Sequence, residues 1–330
     1  MSSTNLKIPT ISKDKFWQRL KKRPYENIKL IKLVENYLIK SRGYVFKMPP
    51  PNTPVILLSS GGLDSTVIWE LLLSKYHLII YPLFLTRNKT ISQQALKAVD
   101  YFDTYFQKKY PTLSQPLMKF STHLLPPEIE KTIINPNLLH PEQLFNTIQH
   151  KFSGPYKKSP FPSLQVFYGL LYAQYLFGRY RTSIKTIFNG VTAKDGLRIP
   201  GQTLTSLRLE LLNLITTDAQ SDWQFASPVF ENKLNHWLTK TDLIKIANQL
   251  HLPLKKTWSC YLNNQFHCGQ CESCEARQIG FKLAKVTDPA KYIPPSITQT
   301  FKKLSKTLYK SIKLNLGIKR TINRYFNLTP

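Results

Sequence analysis

The sequence predicts an α/β fold in which a parallel sheet carries helices on both faces. Two observations predict it. Short apolar runs at Val55–Leu58, Leu78–Leu85, Met118–His123 and Thr186–Val191 alternate with helical patterns at Thr66–Lys75, Ser92–Lys109, Leu164–Arg181 and Leu204–Thr216. The first run also ends in Ser60-Gly61-Gly62-Leu63-Asp64-Ser65-Thr66, a glycine-softened turn that opens into a helix. That is the strand end at which open α/β sheets bind ligands.

Ahead of the first strand, residues 13–41 intersperse Phe16, Leu20, Ile28, Leu30, Ile31, Val34, Tyr37 and Leu38 among lysines, a pattern of two amphipathic helices. Met48-Pro49-Pro50-Pro51-Asn52-Thr53-Pro54 is incompatible with helix and reads as a stiff linker. Prolines 126, 127, 136, 141, 155 and 160 break residues 111–162 into loops and short helices, which we assign to the substrate side. Beyond the core, Lys302, Lys303, Lys306, Lys310 and Lys313 interleave with Phe301, Leu304, Leu308 and Ile312. An apolar stripe beside a basic face suits nucleic-acid contact, a dimer interface or docking onto the core. Three segments follow: a basic helical extension over 1–50, a core over 51–284 and a basic helical tail over 285–330.

Charge supports that division. The chain of 330 residues has 46 basic and 19 acidic residues, a formal charge of +27. Residues 1–50 hold 12 Lys/Arg against 3 Asp/Glu, and residues 285–330 hold 10 against 1, so the ends carry 18 of the excess charges. Basic ends attract a polyanion such as RNA or DNA, although a lysine-rich surface without a partner fits as well. The N-terminus is polar, and the longest apolar stretch, Leu164 to Phe177, contains Gln165 and Gln174 and is too short to span a bilayer. A cytoplasmic location without a membrane partner is expected. The seven histidines are scattered, and no Ser/His/Asp triad is visible.

The turn after the first strand has the chemistry of a phosphate site. Free N–H groups at a helix start, and the positive end of its dipole, point at one place. Gly61 and Gly62 permit positive φ and a close anion approach. Ser60, Ser65 and Thr66 add hydroxyls, and Asp64 can orient the loop or help hold Mg²⁺. Neither the spacing and lysine of a Walker loop nor GxGxxG is present. The stretch resembles the SGGxDS loop of PP-loop ATP pyrophosphatases, which transfer AMP from ATP and leave pyrophosphate in the loop.

All four cysteines fall in Cys260-x7-Cys268-x2-Cys271-x2-Cys274, a spacing that offers four thiolates to one tetrahedral Zn²⁺. An Fe–S cluster uses similar ligands, and a disulfide pair is the remaining alternative. Gly269 allows the tight turn of the knuckle, and His267 is a substitute ligand. The closed ligand set implies a structural role.

Together the two motifs resemble the 7-cyano-7-deazaguanine synthases of queuosine-precursor biosynthesis. The resemblance covers much of 55–281. It is strongest in Leu238-Thr239-Lys240-Thr241-Asp242-Leu243-Ile244, in Thr257-Trp258-Ser259-Cys260-Tyr261, and from Cys268 through Cys271-Glu272-Ser273-Cys274 to Phe281. It implies a Rossmann-like adenine nucleotide α-hydrolase fold, a structural zinc at 257–281 and a homodimer. The implied substrates are ATP and a 7-deazapurine-like carboxylate, which is adenylated, attacked by ammonia to an amide and activated again to a nitrile. Lys240 resembles the family's lysine near the phosphates; a solvated first-turn lysine also fits. Asp195, just past a strand end, faces the loop if the sheet winds as expected, where it can contact substrate or Mg²⁺ or simply cap a turn.

The departures lie on the substrate side. Where the family has Pro-x-Arg-Asn, this chain has Pro160-Phe161-Pro162-Ser163. Where it has Tyr-Pro-Asp-Cys-Arg, this chain keeps Gly190, Ala193, Asp195 and Pro200 but places Gly201 and Thr203 at the Asp and Arg positions. Gln93 or Gln94 stands for a usual acidic residue. Two hypotheses follow. One is an ATP-dependent enzyme with an altered substrate, small or attached to a protein or nucleic acid; some relatives of the family serve in antiviral defence operons. The other is a non-catalytic nucleotide- and zinc-binding module whose basic ends hold nucleic acid or a complex subunit.

Overall fold

The structure is a computed structural model that describes residues 6–86, 93–121 and 161–294, apart from 198 and 263. Five strands, β1 (Pro54–Leu58), β2 (Ile79–Thr86), β3 (Met118–Ser121), β4 (Thr186–Phe188) and β5 (Gln224–Ala226), form one sheet in the order β3-β2-β1-β4-β5. Every pairing in it is parallel. The central strand explains the layering. Val55 and Leu57 of β1 enter one apolar core, whereas Ile56 and Leu58 enter the other. A strand buried on both faces is a continuous apolar run, which is how Val55–Leu58 reads.

The first core is covered by α3 (Leu63–Ser74), α4 (Gln93–Lys109), α7 (Lys240–Gln249) and α8 (Glu272–Ala284). The second is covered by α1 (Lys13–Lys21), α2 (Ile28–Arg42), α5 (Phe161–Tyr180) and α6 (Leu204–Asp218). Helix α3 is buried nearly all round because it follows the central strand. Its one buried acid, Glu70, accepts from Tyr110 Oη at 2.6 Å and Lys109 Nζ at 2.9 Å. An antiparallel hairpin, β6 (Phe230–Glu231) and β7 (His236–Trp237), turns at Asn235 with φ 56°.

The N-terminal segment differs from expectation. It is not an appendage: it belongs to the compact unit that runs to Ala290. Phe16, Leu20, Ile31, Val34 and Leu38 are buried in the second core, and Phe16 stacks on Phe230 at 5.8 Å. The proline-rich stretch lies on the body instead of spanning a gap, with Met48 packed against the first core and Pro49 buried. Strands β5 to β7 were not expected from the sequence, because runs of two or three residues carry no readable period. Residues 122–160 and the basic stripe at 301–313 lie outside the described residues. Among the described residues, no helix is long and apolar enough to cross a membrane.

A buried ionic network fixes α2 to α6 and the hairpin. Arg208 is 1% exposed and donates to Glu35 at 3.0 Å, to Glu231 at 2.7 and 3.0 Å and to Asn232 at 2.8 Å. Burial opposes the guanidinium charge, but Glu231 and Glu35 more than reverse that and raise its pKa. Removing one partner of such a set strands a buried charge. Glu231→Ala is therefore expected to cost about 3–5 kcal/mol in equilibrium urea unfolding. A loss below about 1 kcal/mol, the range of exposed pairs, would show the network to be energetically idle.

Candidate functional site

Strands β2 and β3 continue the sheet on one side of β1, and β4 and β5 on the other, so the order reverses between β1 and β4. Ligands of open α/β sheets sit in the crevice at such a reversal. The segments that leave it are 59–62 after β1 and 189–195 after β4. They bring the sequence-predicted loop and Asp195 to one edge.

Gly61 has φ +69°, and a Cβ there would lie 2.3 Å from the Ala95 carbonyl oxygen of α4. Both demands require glycine. Gly62 differs from expectation, with φ −78°; it is the N-cap of α3 and makes no side-chain cap. The Leu63, Asp64 and Ser65 amides therefore open α3 without intrahelical acceptors. The hydroxyls mostly shape the loop. Ser65 Oγ accepts from Ser60 N at 3.1 Å and lies 3.0 Å from Ser60 Oγ, while Thr66 Oγ1 donates to the Gly62 carbonyl at 2.8 Å. Leu63 is buried and packs the first core.

Lys240, in the first turn of α7, forms an ion pair with Asp64 Oδ2. Its side chain is 15% exposed, so it is not a solvated lysine. Thr239 and Asp242 form a capping box that fixes the start of α7, and Gly280 of α8 allows close packing there, since a Cβ would meet Lys240 Cγ at 3.3 Å. Asp195 is half-buried, and its Oδ2 accepts from the Thr192 amide at 2.7 Å. Burial first, then the Asp64 carboxylate, push its pKa up, and Lys240 opposes them. It thus caps its own turn and lies within electrostatic reach of the Asp64–Lys240 pair. Gln93 and Gln94 begin α4, directly before the Ala95 that Gly61 meets.

Sequence reasoning missed Arg23 and Glu26, in the α1–α2 turn. Glu26 accepts from the Leu204 and Thr205 amides at 3.0 Å each, so a buried carboxylate holds the N-terminus of α6. Arg23 pairs with Glu26 at 3.3 Å and lies over the Phe230 ring at 4.8 Å. A Cβ on Gly196 would meet Arg23 Nη2 at 2.3 Å and Thr203 Cγ2 at 3.0 Å. A cation from the N-terminal turn therefore stands beside Thr203, with Asp195 close enough to favour its charge. Only an isolated, unpatterned Arg-x-x-Glu could have signalled this.

Three buried polar atoms of these segments have no hydrogen-bond partner among the described residues: Ser59 Oγ, Asp64 Oδ1 and Trp258 Nε1.

The four cysteines converge as the spacing predicts. All are buried, none is in a disulfide, and their sulfurs lie within 4.8 Å of one another. Cys268 Sγ and Cys274 Sγ are 3.9 Å apart. A tetrahedral ion ~2.3 Å from each sulfur requires about 3.8 Å between them. Gly269 has φ +73°, as the knuckle needs. The amides of Leu262, Cys268, Gln270 and Cys271 donate to Cys260 or Cys268 sulfur, which suits thiolates. His267 is outside the set: its Nε2 accepts from Ser259 N at 3.2 Å and its ring packs on Trp258.

The knuckle is linked by hydrogen bonds to the loop after β1. Cys271 caps α8, whose buried Arg277 donates to Thr257 Oγ1 at 2.7 Å, Ser259 Oγ at 3.3 Å and Leu254 O at 3.1 Å. Between Thr257 and Ser259, the Trp258 amide donates to the Gly61 carbonyl at 2.9 Å.

With this geometry in place, the comparisons are informative. Residues 173–285 match the family described as "Queuosine biosynthesis protein QueC". The chain is similar to the 7-cyano-7-deazaguanine synthase of Campylobacter fetus subsp. fetus, 38% identical over 111 residues, 33% of this chain and 46% of that one. It is also similar to those of Methanothrix thermoacetophila, 46% identical over 55 residues (17% and 25%), and Methanobrevibacter smithii, 31% over 80 residues (24% and 33%). The chain thus spans less than half the length of each of these relatives. The family match contains Asp195, Lys240 and the cysteines, but neither the phosphate loop nor the N-terminal helices.

Two outcomes check this site. Gly61→Ala is expected to lose about 1–3 kcal/mol or more in urea unfolding, from positive φ plus the carbonyl clash, while Gly62→Ala loses under about 1 kcal/mol. Equal losses would contradict the assignment of the constraint to Gly61. Elemental analysis should find one metal ion per chain, and stripping it with a chelator should lower the thermal midpoint, as should Cys274→Ser. A metal-free preparation of unchanged stability would remove the metal centre.

Proposed function

We propose that this chain is an ATP-dependent, AMP-forming ligase that activates the carboxylate of a 7-deazapurine-like substrate for attack by nitrogen. The observation that carries the reading is the joining, at one sheet edge, of the α3 helix-start amides with Asp64, Lys240 and Asp195. The similarity of the half carrying Lys240 and the cysteines to 7-cyano-7-deazaguanine synthases supports it.

A carboxylate oxygen leaves poorly, and AMP leaves well. In the proposed first step a substrate carboxylate oxygen bonds to the α-phosphorus of ATP, the α–β bridging bond breaks, and pyrophosphate departs with its electrons. The Leu63, Asp64 and Ser65 amides and the helix dipole face the developing charge on pyrophosphate, and Lys240 adds a cation there. In the second step a nitrogen nucleophile adds to the acyl carbon, the acyl–oxygen bond breaks, and AMP leaves. The product is an amide, a nitrile after a second round, or a conjugate. Asp64, with its unbonded Oδ1, and Asp195 present the hard oxygen donors Mg²⁺ prefers. Bound there, Mg²⁺ would supply charge neutralisation to the phosphates.

The cysteine set fits one Zn²⁺ in a structural role, since a cluster of several atoms needs its thiolates farther apart. The altered residues Gly201 and Thr203, with Arg23 beside the latter, suit a substrate shaped differently from that of the relatives. A homodimer and a cytoplasmic setting accompany this reading.

Incubation with ATP, Mg²⁺ and a panel of deazapurine carboxylic acids should release pyrophosphate and AMP in equal amounts. Asp64→Ala should abolish release, and Lys240→Met should lower kcat by about 10²-fold or more while ATP binding persists. A preparation that binds ATP yet yields no pyrophosphate across the panel would instead support the non-catalytic module.

A further inference from the structure

The α1–α2 pair lies outside the family match, and its exposed face takes no part in the site above. A cleft of about 540 Å³ runs between the two helices. From α1, Lys13, Trp17 and Lys21 line it at successive one-turn intervals; Lys32 and Glu35 of α2 and Lys233 beside the hairpin line the opposite side. Glu35 is the only acid among the lining residues, and it is already committed, accepting from Arg208 at 3.0 Å, Asn232 at 3.0 Å and Lys233 at 2.8 Å. Lys13, Lys21 and Lys32 are exposed and form no ion pair among the described residues. Of the three acids in residues 1–50, Glu26 and Glu35 are buried in other bonds, so only Asp14 remains at the surface beside the exposed lysines of α1 and α2.

Uncompensated like charges converging on one cleft call for an anion. The aromatic ring among them narrows its chemistry. Trp17 is half-buried and buttressed by the edge of Phe16 at 6.3 Å, and Lys13 and Lys21 flank it by one turn each, about 6 Å along the axis. A base laid on the indole would direct the phosphates on its two sides toward those lysines. Every base has a face that can stack, so this recognition does not depend on sequence, and a duplex hides those faces.

We infer that the α1–α2 cleft binds single-stranded nucleic acid, stacking a base on Trp17 and holding its phosphates with Lys13, Lys21 and Lys32. The inference does not depend on the ligase reading, and its test measures no turnover.

The probe is a fluorescein-labelled oligothymidine of about 12 nucleotides, titrated with the full chain by anisotropy from about 50 to 200 mM salt. Wild type should bind with a marked salt dependence. Lys13→Ala/Lys21→Ala/Lys32→Ala should reduce the slope of log K against log salt by about 2, at roughly 0.7 per lysine on a single strand. Trp17→Ala should weaken binding about 5- to 150-fold with the slope unchanged, and Trp17→Phe should recover most of it. Lys97→Ala/Lys108→Ala/Lys245→Ala, at exposed lysines elsewhere, should change little, and circular dichroism verifies that each variant is folded. The inference is overturned if wild type does not bind, if the control triple loses as much as the cleft triple, or if Trp17→Ala binds like wild type. Equal competition by poly-glutamate would overturn it in favour of an acidic protein partner, and equal competition by free AMP in favour of a mononucleotide.

Discussion

The site depends on the close approach of Gly61 to α4. The turn after β1 must leave a buried strand, reverse toward the start of α3 and pass 2.3 Å, measured from a notional Cβ, from the Ala95 carbonyl. Only a residue without a Cβ at positive φ satisfies both conditions. Once Gly61 is so placed, its carbonyl faces the Trp258 amide and Gly62 becomes the cap of α3. The helix-start amides, Asp64 and the Lys240 pair are consequences of that one backbone conformation.

Electrostatics explains why the site recruits residues from so many elements. Asp64 and Asp195 come from opposite sides of the crevice, and two carboxylates in a partly buried space repel. Lys240 answers the first, while Arg23 lies within reach of the second. Burying a guanidinium without an acceptor for its N–H groups is costly, so the fold supports Arg23 with Glu26 and two aromatic faces. The N-terminal helices are thus structural partners of the turn that carries Asp195 and Thr203. Their burial follows from the same arrangement, because Glu26 both holds Arg23 and caps α6.

What was legible in the sequence follows a physical rule. Features set by near neighbours in the chain could be read: the doubly buried runs of β1, β2 and β4, the glycine turn, and the cysteine spacing that closes on one ion. Features set by contacts between distant segments could not. Gly62 looks like Gly61 in the sequence, and only the path between α4 and Trp258 separates their roles. Arg23 and Glu26 are separated from Thr203 and Leu204 by more than half the chain, and no periodicity connects them. The stretch 1–50 was expected to be an extension because its lysines dominate its composition. Yet the apolar residues between those lysines, Phe16 and Leu20 on α1 and Ile31, Val34 and Leu38 on α2, decide where it packs. Charge described the outer face of these helices, and burial their inner one.

The cysteine centre lies apart from the crevice but is mechanically continuous with it. A small cluster of loops at 254–271 buries little apolar surface, and without a crosslink such loops open at low cost. An ion held by four thiolates would remove that freedom, because such a site does not exist in the open chain. Cys271 and Cys274 lie on the first turn of α8, so the constraint passes into a helix and along it by one turn to Arg277. The Arg277 guanidinium donates to three residues of the 254–259 strap and pairs with Asp288 at 3.0 Å, which leaves the strap little room to slide. The Trp258 amide at the centre of that strap meets Gly61. An unbroken chain of hydrogen bonds thus runs from the cysteine cluster through Arg277 and the 254–259 strap to Gly61 and the start of α3.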